Sequence, residues 1–314
     1  MELELTNPMV YAVPCFVAFI LMEIVHWKKR GPNDTYNLKD LKASSIIALG
    51  TAILGPLAKI TYITWLFVTV YEVFNPMVNG VRMNIFGYQS FGYEWYFWVL
   101  CQLGDDITFY WFHRLSHTIR FFWAAHIPHH SSEYFNYGTG IRISWFTLVN
   151  KPFFYIWLMA IGFHVEMVII CLAIETIYQF QLHTKLVPKL GVLEKILVTH
   201  TQHQVHHGKN IEYLDKNHGG ILSIWDRLFG SFREYDEKIK IEYGILNKEL
   251  SFNPIQIITH EYQSIWEDVK SSKNLTEAFK YVFGPPGWSP DGSRKTAREL
   301  QNELKLEQVK TTSN

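Results

Sequence analysis

Between residues 113 and 207, histidine recurs at spacings that have few structural uses. HRLSH sets His113 and His117 four apart. HIPHH and HQVHH set His126, His129, His130 and His203, His206, His207 as i, i+3, i+4 triplets. On a helix, positions three and four apart share a face, so each cluster offers its imidazoles to one side. Neutral imidazole is a ligand for iron, zinc and copper. These clusters hold eight of the chain's 14 histidines. Since one ion takes at most about six donors, the pattern points to two metal ions. Eight core histidines without partners would be costly to bury, which weighs against a purely structural role.

Around the clusters the chain is apolar, with 48% hydrophobic and 16% aromatic residues among its 314. That load, carried in long weakly charged runs, fits a membrane protein with interfacial aromatic belts. Residues 8–27 form a first run about 20 residues long, enough to cross a hydrocarbon core, and it reads as a retained helix. Lys28, Lys29 and Arg30 follow at once, which places residue 30 in the cytoplasm; Glu23 and His26 are expected to reach the headgroups there. A turn is expected at Gly31–Asp34. The second run, 43–74, is interrupted at Gly55-Pro56 and reads as one kinked crossing, with a re-entrant hairpin as the alternative. Residues 75–92 read as a turn-rich loop on the far side, and 93–112 return to deliver His113. The apolar stretch 143–182 breaks at Gly162 into two helices of about 20 residues, going in and out. Lys151-Pro152 weakens its first half, so a shallow re-entrant hairpin also fits. His164, at that turn, is expected to be structural.

The expectation is an all-α polytopic membrane bundle of about 4–5 spanning or re-entrant helices. A cytoplasmic helical cap, from residue 188 onward, would hold the histidine-rich dimetal site. Residues 251–283 carry apolar positions at helical spacing, fitting helices on the cap or along the interface. Residues 1–290 are expected to form one membrane-embedded domain, with 291–314 a polar, disordered tail. Lys+Arg and Asp+Glu balance at 29 each, so nothing in the charge points to nucleic acid. Cys15, Cys101 and Cys171 read as small buried hydrophobes.

Further residues are candidates to support the site. Asp105 and Asp106 sit inside an apolar run, where acids are costly and usually functional. Asp106 precedes His113 by two helical turns, so a carboxylate accepting an imidazole N–H is expected. Glu133, after the second cluster, is another candidate of this kind. Gln179 and His183 form one more i, i+4 pair; His183 is the ninth ligand candidate and Gln179 a weaker one or a supporting donor.

Diiron sites in soluble bundles use glutamates with Glu-x-x-His pairs; here histidine alone dominates. A zinc hydrolase needs only three protein ligands and an open position. Two redox-active irons beneath a membrane span suggest oxygen activation against a lipid C–H bond, with burial containing the oxidant. A non-redox metalloprotein and a silent scaffold of the same fold are the competing classes.

HRLSH, HIPHH and HQVHH, with DDITFYWFHR before them and DKNHGGILSIWDRLFGSF after, resemble the fatty acid hydroxylase/sterol desaturase superfamily over roughly residues 95–290. HHSSEYFNYGTGIR, QFQLHT and HHGKNIEYLDKNHGG are most similar to its alkylglycerol monooxygenase branch. The resemblance implies a membrane diiron monooxygenase with histidines 113, 117, 126, 129, 130, 203, 206 and 207 as ligands; zinc could load the same positions. It implies hydroxylation or desaturation of a long-chain lipid with O2. Electrons would come from an external haem cytochrome, ferredoxin or reductase, or from tetrahydrobiopterin if the alkylglycerol branch applies. A sterol substrate is a further alternative. The branch carries a glutamate after the second histidine where this chain has Thr118, and it usually reads TPSHHRVHHG where this chain reads THTQHQVHHG.

Overall fold

The computed structural model describes residues 8–30, 35–246 and 251–312; the expected turn at Gly31–Asp34 lies outside them. Helix α1, Met9–Arg30, ends on Lys28, Lys29 and Arg30, three cations placed against the partial negative charge of its C-terminus. Its exposed side chains are largely apolar, among them Tyr11, Val17, Leu21 and Val25. Cys15 is exposed there too, against the expectation of a buried thiol. Glu23 departs from its expected place at the headgroups. Its carboxylate is buried and accepts from the Tyr36 hydroxyl, the Tyr137 N–H and the Thr184 hydroxyl. Three donors satisfy a carboxylate that solvent would otherwise have to serve.

Asn37 caps α2, Leu38–Ala58, by accepting from the N–H groups of Lys39 and Asp40. The helix passes through a π-helical turn at Lys59–Ile63, just after Pro56, into α3, Thr64–Phe74. Proline removes one N–H from the ladder, and the widened turn absorbs the mismatch without ending the helix. The 43–74 run is therefore one long helical stretch and not a hairpin. At about 1.5 Å per residue it is longer than a hydrocarbon core is thick. One face of its first third is covered by protein: Ala43 and Ile47 pack on Ile257 and Ile258, and Asp40 pairs with buried Arg142 at 2.7 Å. Beyond that, Leu49, Ile53, Leu57, Ile60 and Trp65 are exposed. Helix α1 and the stretch Leu38–Phe74 are long and apolar enough to cross a membrane.

The loop at 75–92 contains a small hairpin, β1 Met77–Val78 with β2 Val81–Arg82. Asn79 and Gly80 turn it, both at positive φ, as a two-residue turn between right-twisted strands requires. Helix α4, Trp95–Thr118, then crosses the whole bundle. After α5 (Arg120–His130) and the single turns α6 (Tyr137–Gly140) and α7 (Thr147–Asn150) come α8, Pro152–Ala160, and α9, Val165–Gln181. Gly162 breaks the chain between α8 and α9 at φ 116°. Pro152 at the first turn of α8 fits its missing N–H but resets the chain, so the first half of this hairpin is shorter than the expected 20-residue helix. Cys101, Leu158, Met159, Met167 and Cys171 form the core of this bundle with Phe67 and Tyr71 of α3.

The remaining elements are α10 (His200–His206), α11 (Ile224–Leu228), α12 (Pro254–Ser271), α13 (Leu275–Phe283) and α14 (Ala297–Thr312). Helix α14 replaces most of the expected disordered tail. Thr296 and Glu299 cap it reciprocally, each side chain accepting the other's backbone N–H. Gln301 ties it down by donating to the carbonyls of Ile211 and Leu214.

Candidate metal centre

Helices α4, α5 and α10 converge their histidines, and α9 ends just short of a ninth. The imidazoles sort into two groups: His113, His117, His126, His130 and His206, and His129, His183, His203 and His207. Within each group the ligand nitrogens lie within 4.8 Å of one another. The i, i+3, i+4 triplets therefore do not each face one side, as the sequence reading expects. Successive helical residues point about 100° apart, so His129 and His130 straddle the two groups, and so do His206 and His207.

In the first group, the Nε2 atoms of His113 and His126 are 3.0 Å apart, those of His126 and His130 3.1 Å, and those of His130 and His206 3.1 Å. His126 and His206 face each other across this square, with ring centroids 6.4 Å apart. His117 sits against all four rings, at 5.3, 5.0, 4.7 and 4.8 Å. In the second group, the Nε2 of His183 lies 3.1 Å from that of His129 and 2.9 Å from that of His203, with the His207 ring close to all three. Imidazole nitrogens at about 2.1 Å from an ion with octahedral edges would be about 3.0 Å apart. The donor sets fit such ions. Five of six positions would be filled at the first and four at the second, leaving room for a small molecule.

The two groups adjoin. His130 stacks on His207 at 4.3 Å, and His203 on His206 at 5.4 Å. Burial, followed by neighbouring imidazoles, pushes His126, His129, His130, His203 and His207 well below the ordinary histidine range. Burial takes His183 down to about 4. Their lone pairs are thus free for a metal at neutral pH.

A loop that the sequence reading left unassigned orients the first group. The His206 Nδ1–H donates to the Lys216 carbonyl at 2.8 Å, and the His113 Nδ1–H to the His218 carbonyl at 3.0 Å. Asp215 places a carboxylate oxygen 3.5 Å from His117 Nδ1. Fixing Nδ1–H in this way leaves Nε2 bare and aimed inward. Asp215 and Asn217 adopt φ of 54° and 56°, a conformation that Asp and Asn tolerate better than most residues. Asn217 holds the loop by donating to the carbonyls of Gln202 and Arg233 and accepting from the Arg233 N–H. Asp226 accepts the N–H groups of His218 and Gly219, both at 2.7 Å. The buried His218 ring packs outside the first group, 5.0 Å from His117.

The other candidates fall in different places. Asp106 accepts from the Ile221 N–H, the Leu222 N–H and the Trp225 indole, so its carboxylate braces the end of this loop and takes no imidazole N–H. Asp105 is fully buried and accepts from Gln102, likewise away from the imidazoles. Glu133 is exposed and lies outside both groups. Gln179 acts through its backbone: its carbonyl accepts the His183 Nδ1–H at 2.8 Å, while its side-chain amide donates to Gly220. Thr118 donates to the Arg114 carbonyl at the end of α4. His164 lies at the far end of the bundle, bonded to the Tyr71 hydroxyl.

Residues 98–231, which contain every histidine of both groups, match the fatty acid hydroxylase family. That match covers less than half of the chain. Similarity to curated relatives extends beyond that segment. Alkylglycerol monooxygenase of Homo sapiens is 35% identical over 229 residues, which is 72% of this chain and 51% of the human one. The protein of the same name from Danio rerio is 33% identical over 294 residues, 90% of this chain and 60% of its own. That from Xenopus tropicalis is 38% identical over 197 residues, 63% and 44%. The chain thus spans about half the length of the curated relatives it matches. No solved structure matches it. Among the described residues, two helices are long and apolar enough to cross a membrane, and two groups of histidines are placed to hold metal ions.

Proposed function

We propose that the chain is a membrane diiron oxygenase that hydroxylates a C–H bond of a long-chain lipid. The observation that carries this is the pair of adjoining, all-imidazole donor sets, buried but for the part-exposed His126, inside a segment similar to the fatty acid hydroxylase family. Histidines 113, 117, 126, 130 and 206 would hold one iron, and 129, 183, 203 and 207 the other. Iron bound there would supply oxygen activation, with RH, O2, two electrons and two protons giving ROH and water. An external donor protein or a diffusible pterin supplies the electrons. The residues of the chain hold the rest of the arrangement. The 215–218 loop fixes the imidazole tautomers, Phe135 lies 5.3 Å from His207 and 5.7 Å from His183, and Tyr243 stacks on Phe135 to shield that side from water.

The relatives' name favours an alkylglycerol as the lipid; tetrahydrobiopterin as reductant comes only from the resemblance of the sequence motifs to that branch. Thr118 separates this reading from the broader one. Purified, iron-loaded protein given alkylglycerol, O2 and tetrahydrobiopterin is expected to release aldehyde weakly, and Thr118→Glu to release more. Lipid hydroxylation driven by a reductase, with no aldehyde from either protein, would leave the oxygenase reading standing and remove the ether-lipid one. If iron-loaded protein yields no oxygenated or desaturated lipid with either reductant, the oxygenase reading itself fails.

We further propose that Lys28–Arg30, the metal site and the C-terminal helices lie on the cytoplasmic side, with the β1–β2 hairpin outside. The basic end of α1 supports this orientation. A cysteine at position 80 is expected to react with an impermeant reagent from outside, and one at position 210 to be protected. The reverse pattern would move the site to the other compartment.

A further inference from the structure

The segment that joins His183 to His203 carries a surface which the metal chemistry does not use. Leu186, Leu190, Val192, Leu193 and Ile196 are exposed, Val192 by 73%. Beside them Ile224 and Leu228 of α11 are exposed as well, Leu228 by 66%. The two stretches form one rigid piece. Leu197 and Leu222 bridge, the Ser223 N–H donates to the Ile196 carbonyl at 2.8 Å, and the Ser223 hydroxyl and Arg227 both donate to the Glu194 carbonyl.

Charge on this piece is one-sided. Lys195 and Arg227 are exposed, whereas its acids, Glu194 and Asp226, are buried and occupied by hydrogen bonds; Lys189, also exposed, pairs with Glu234 at 2.6 Å. The piece also continues the outer face of the bundle. Phe229, which follows α11, stacks on Tyr110 of α4 at 5.3 Å and meets Trp111 at 4.9 Å. Trp111, Leu103, Leu100 and Val99 expose apolar side chains along the same helix. An apolar face rimmed by cations and joined to membrane-facing helices has the chemistry of an interfacial lipid contact.

We propose that residues 186–196 and 224–228 form a lip seated in the surface of a bilayer rich in anionic headgroups. Leu190, Val192, Leu193, Ile196 and Leu228 enter the acyl boundary, and Lys195 and Arg227 meet the phosphates. The lip sets the depth of the segment that joins His183 to His203, and it does so whether or not the metal is iron. It therefore stands apart from the oxygenase reading.

The test uses the full chain in a Cys15→Ala background with Val192→Cys, labelled with an environment-sensitive fluorophore and reconstituted into phosphatidylcholine vesicles with phosphatidylserine. The label is expected to be quenched by nitroxides on the acyl chains and shielded from aqueous iodide. A label at Glu237→Cys, on an exposed polar loop, should show the opposite. Adding Lys195→Glu is expected to lower the ratio of acyl-chain to iodide quenching at position 192 by about fivefold with phosphatidylserine present, as loss of about one favourable cation contact predicts. In vesicles of phosphatidylcholine alone the charge change should have little effect. Iodide quenching at 192 equal to that at 237 would overturn the proposal. So would shielding from both quenchers with an intermolecular crosslink through position 192, which would mean that a second copy covers the patch.

Discussion

Replacing His206 with alanine is expected to empty the first metal position and abolish turnover. His206 closes the square of the first group through its contact with His130, and its Nδ1–H is fixed by the Lys216 carbonyl. Removing it leaves a gap in a set whose other imidazoles cannot shift, because the 215–218 loop and the helix backbones hold them. Metal content should fall from about two ions per chain to about one or fewer. His183→Ala should do the same at the second position. His164→Ala should keep both ions, since His164 lies at the far end of the bundle. Full metal content in the His206 and His183 variants, measured by elemental analysis after gel filtration, would show that the two groups are not the ligands.

Arg120→Ala is expected to destabilise the protein by about 3–5 kcal/mol, the usual consequence of removing one partner of a buried ion pair. Arg120 opens α5, the helix that carries HIPHH, and its guanidinium is almost wholly buried. It donates to Glu261 at 2.7 Å, to Asp268 at 2.5 Å, to the Ser264 hydroxyl at 3.0 Å and to the Tyr281 carbonyl. Alanine leaves two carboxylates and a carbonyl short of a donor and frees α5 from α12 and α13. Lys189→Ala, which removes an exposed pair with Glu234, should change little. Chemical unfolding in detergent micelles compares the two; equal midpoints would contradict the account of how α5 is anchored.

The histidines were legible because ligand spacing is local: four residues on a helix bring two imidazoles to one face wherever the helix lies. Their partition was not. Whether His129 joins His130 or His183 depends on how α5, α9 and α10 cross, and no spacing within one segment encodes that. His183 stood out through its pairing with Gln179, although the side chain of Gln179 serves Gly220 and only its carbonyl serves the imidazole. The 215–218 loop was visible only as a polar DKNHGG stretch. Its contribution comes mostly from backbone carbonyls, which carry no residue signature. The clue available was an Asp and an Asn, two residues suited to positive φ, ahead of paired glycines. Asp106 misled because an acid two turns from His113 fits an imidazole partner as well as it fits a loop brace. Composition hid α14: its charged residues read as disorder, while Thr296 and Glu299 spelled out a helix start. Glu23 was placed at the membrane surface because its partners, Tyr36, Tyr137 and Thr184, are distant in sequence.

The two histidine groups would hold two irons side by side. Mössbauer spectroscopy of 57Fe-enriched protein, purified without oxygen and then oxidised, tests it most directly. The arrangement predicts about two irons per chain, each in a site dominated by nitrogen ligands. One iron per chain would contradict the account, as would a protein that stays fully active with zinc and no iron.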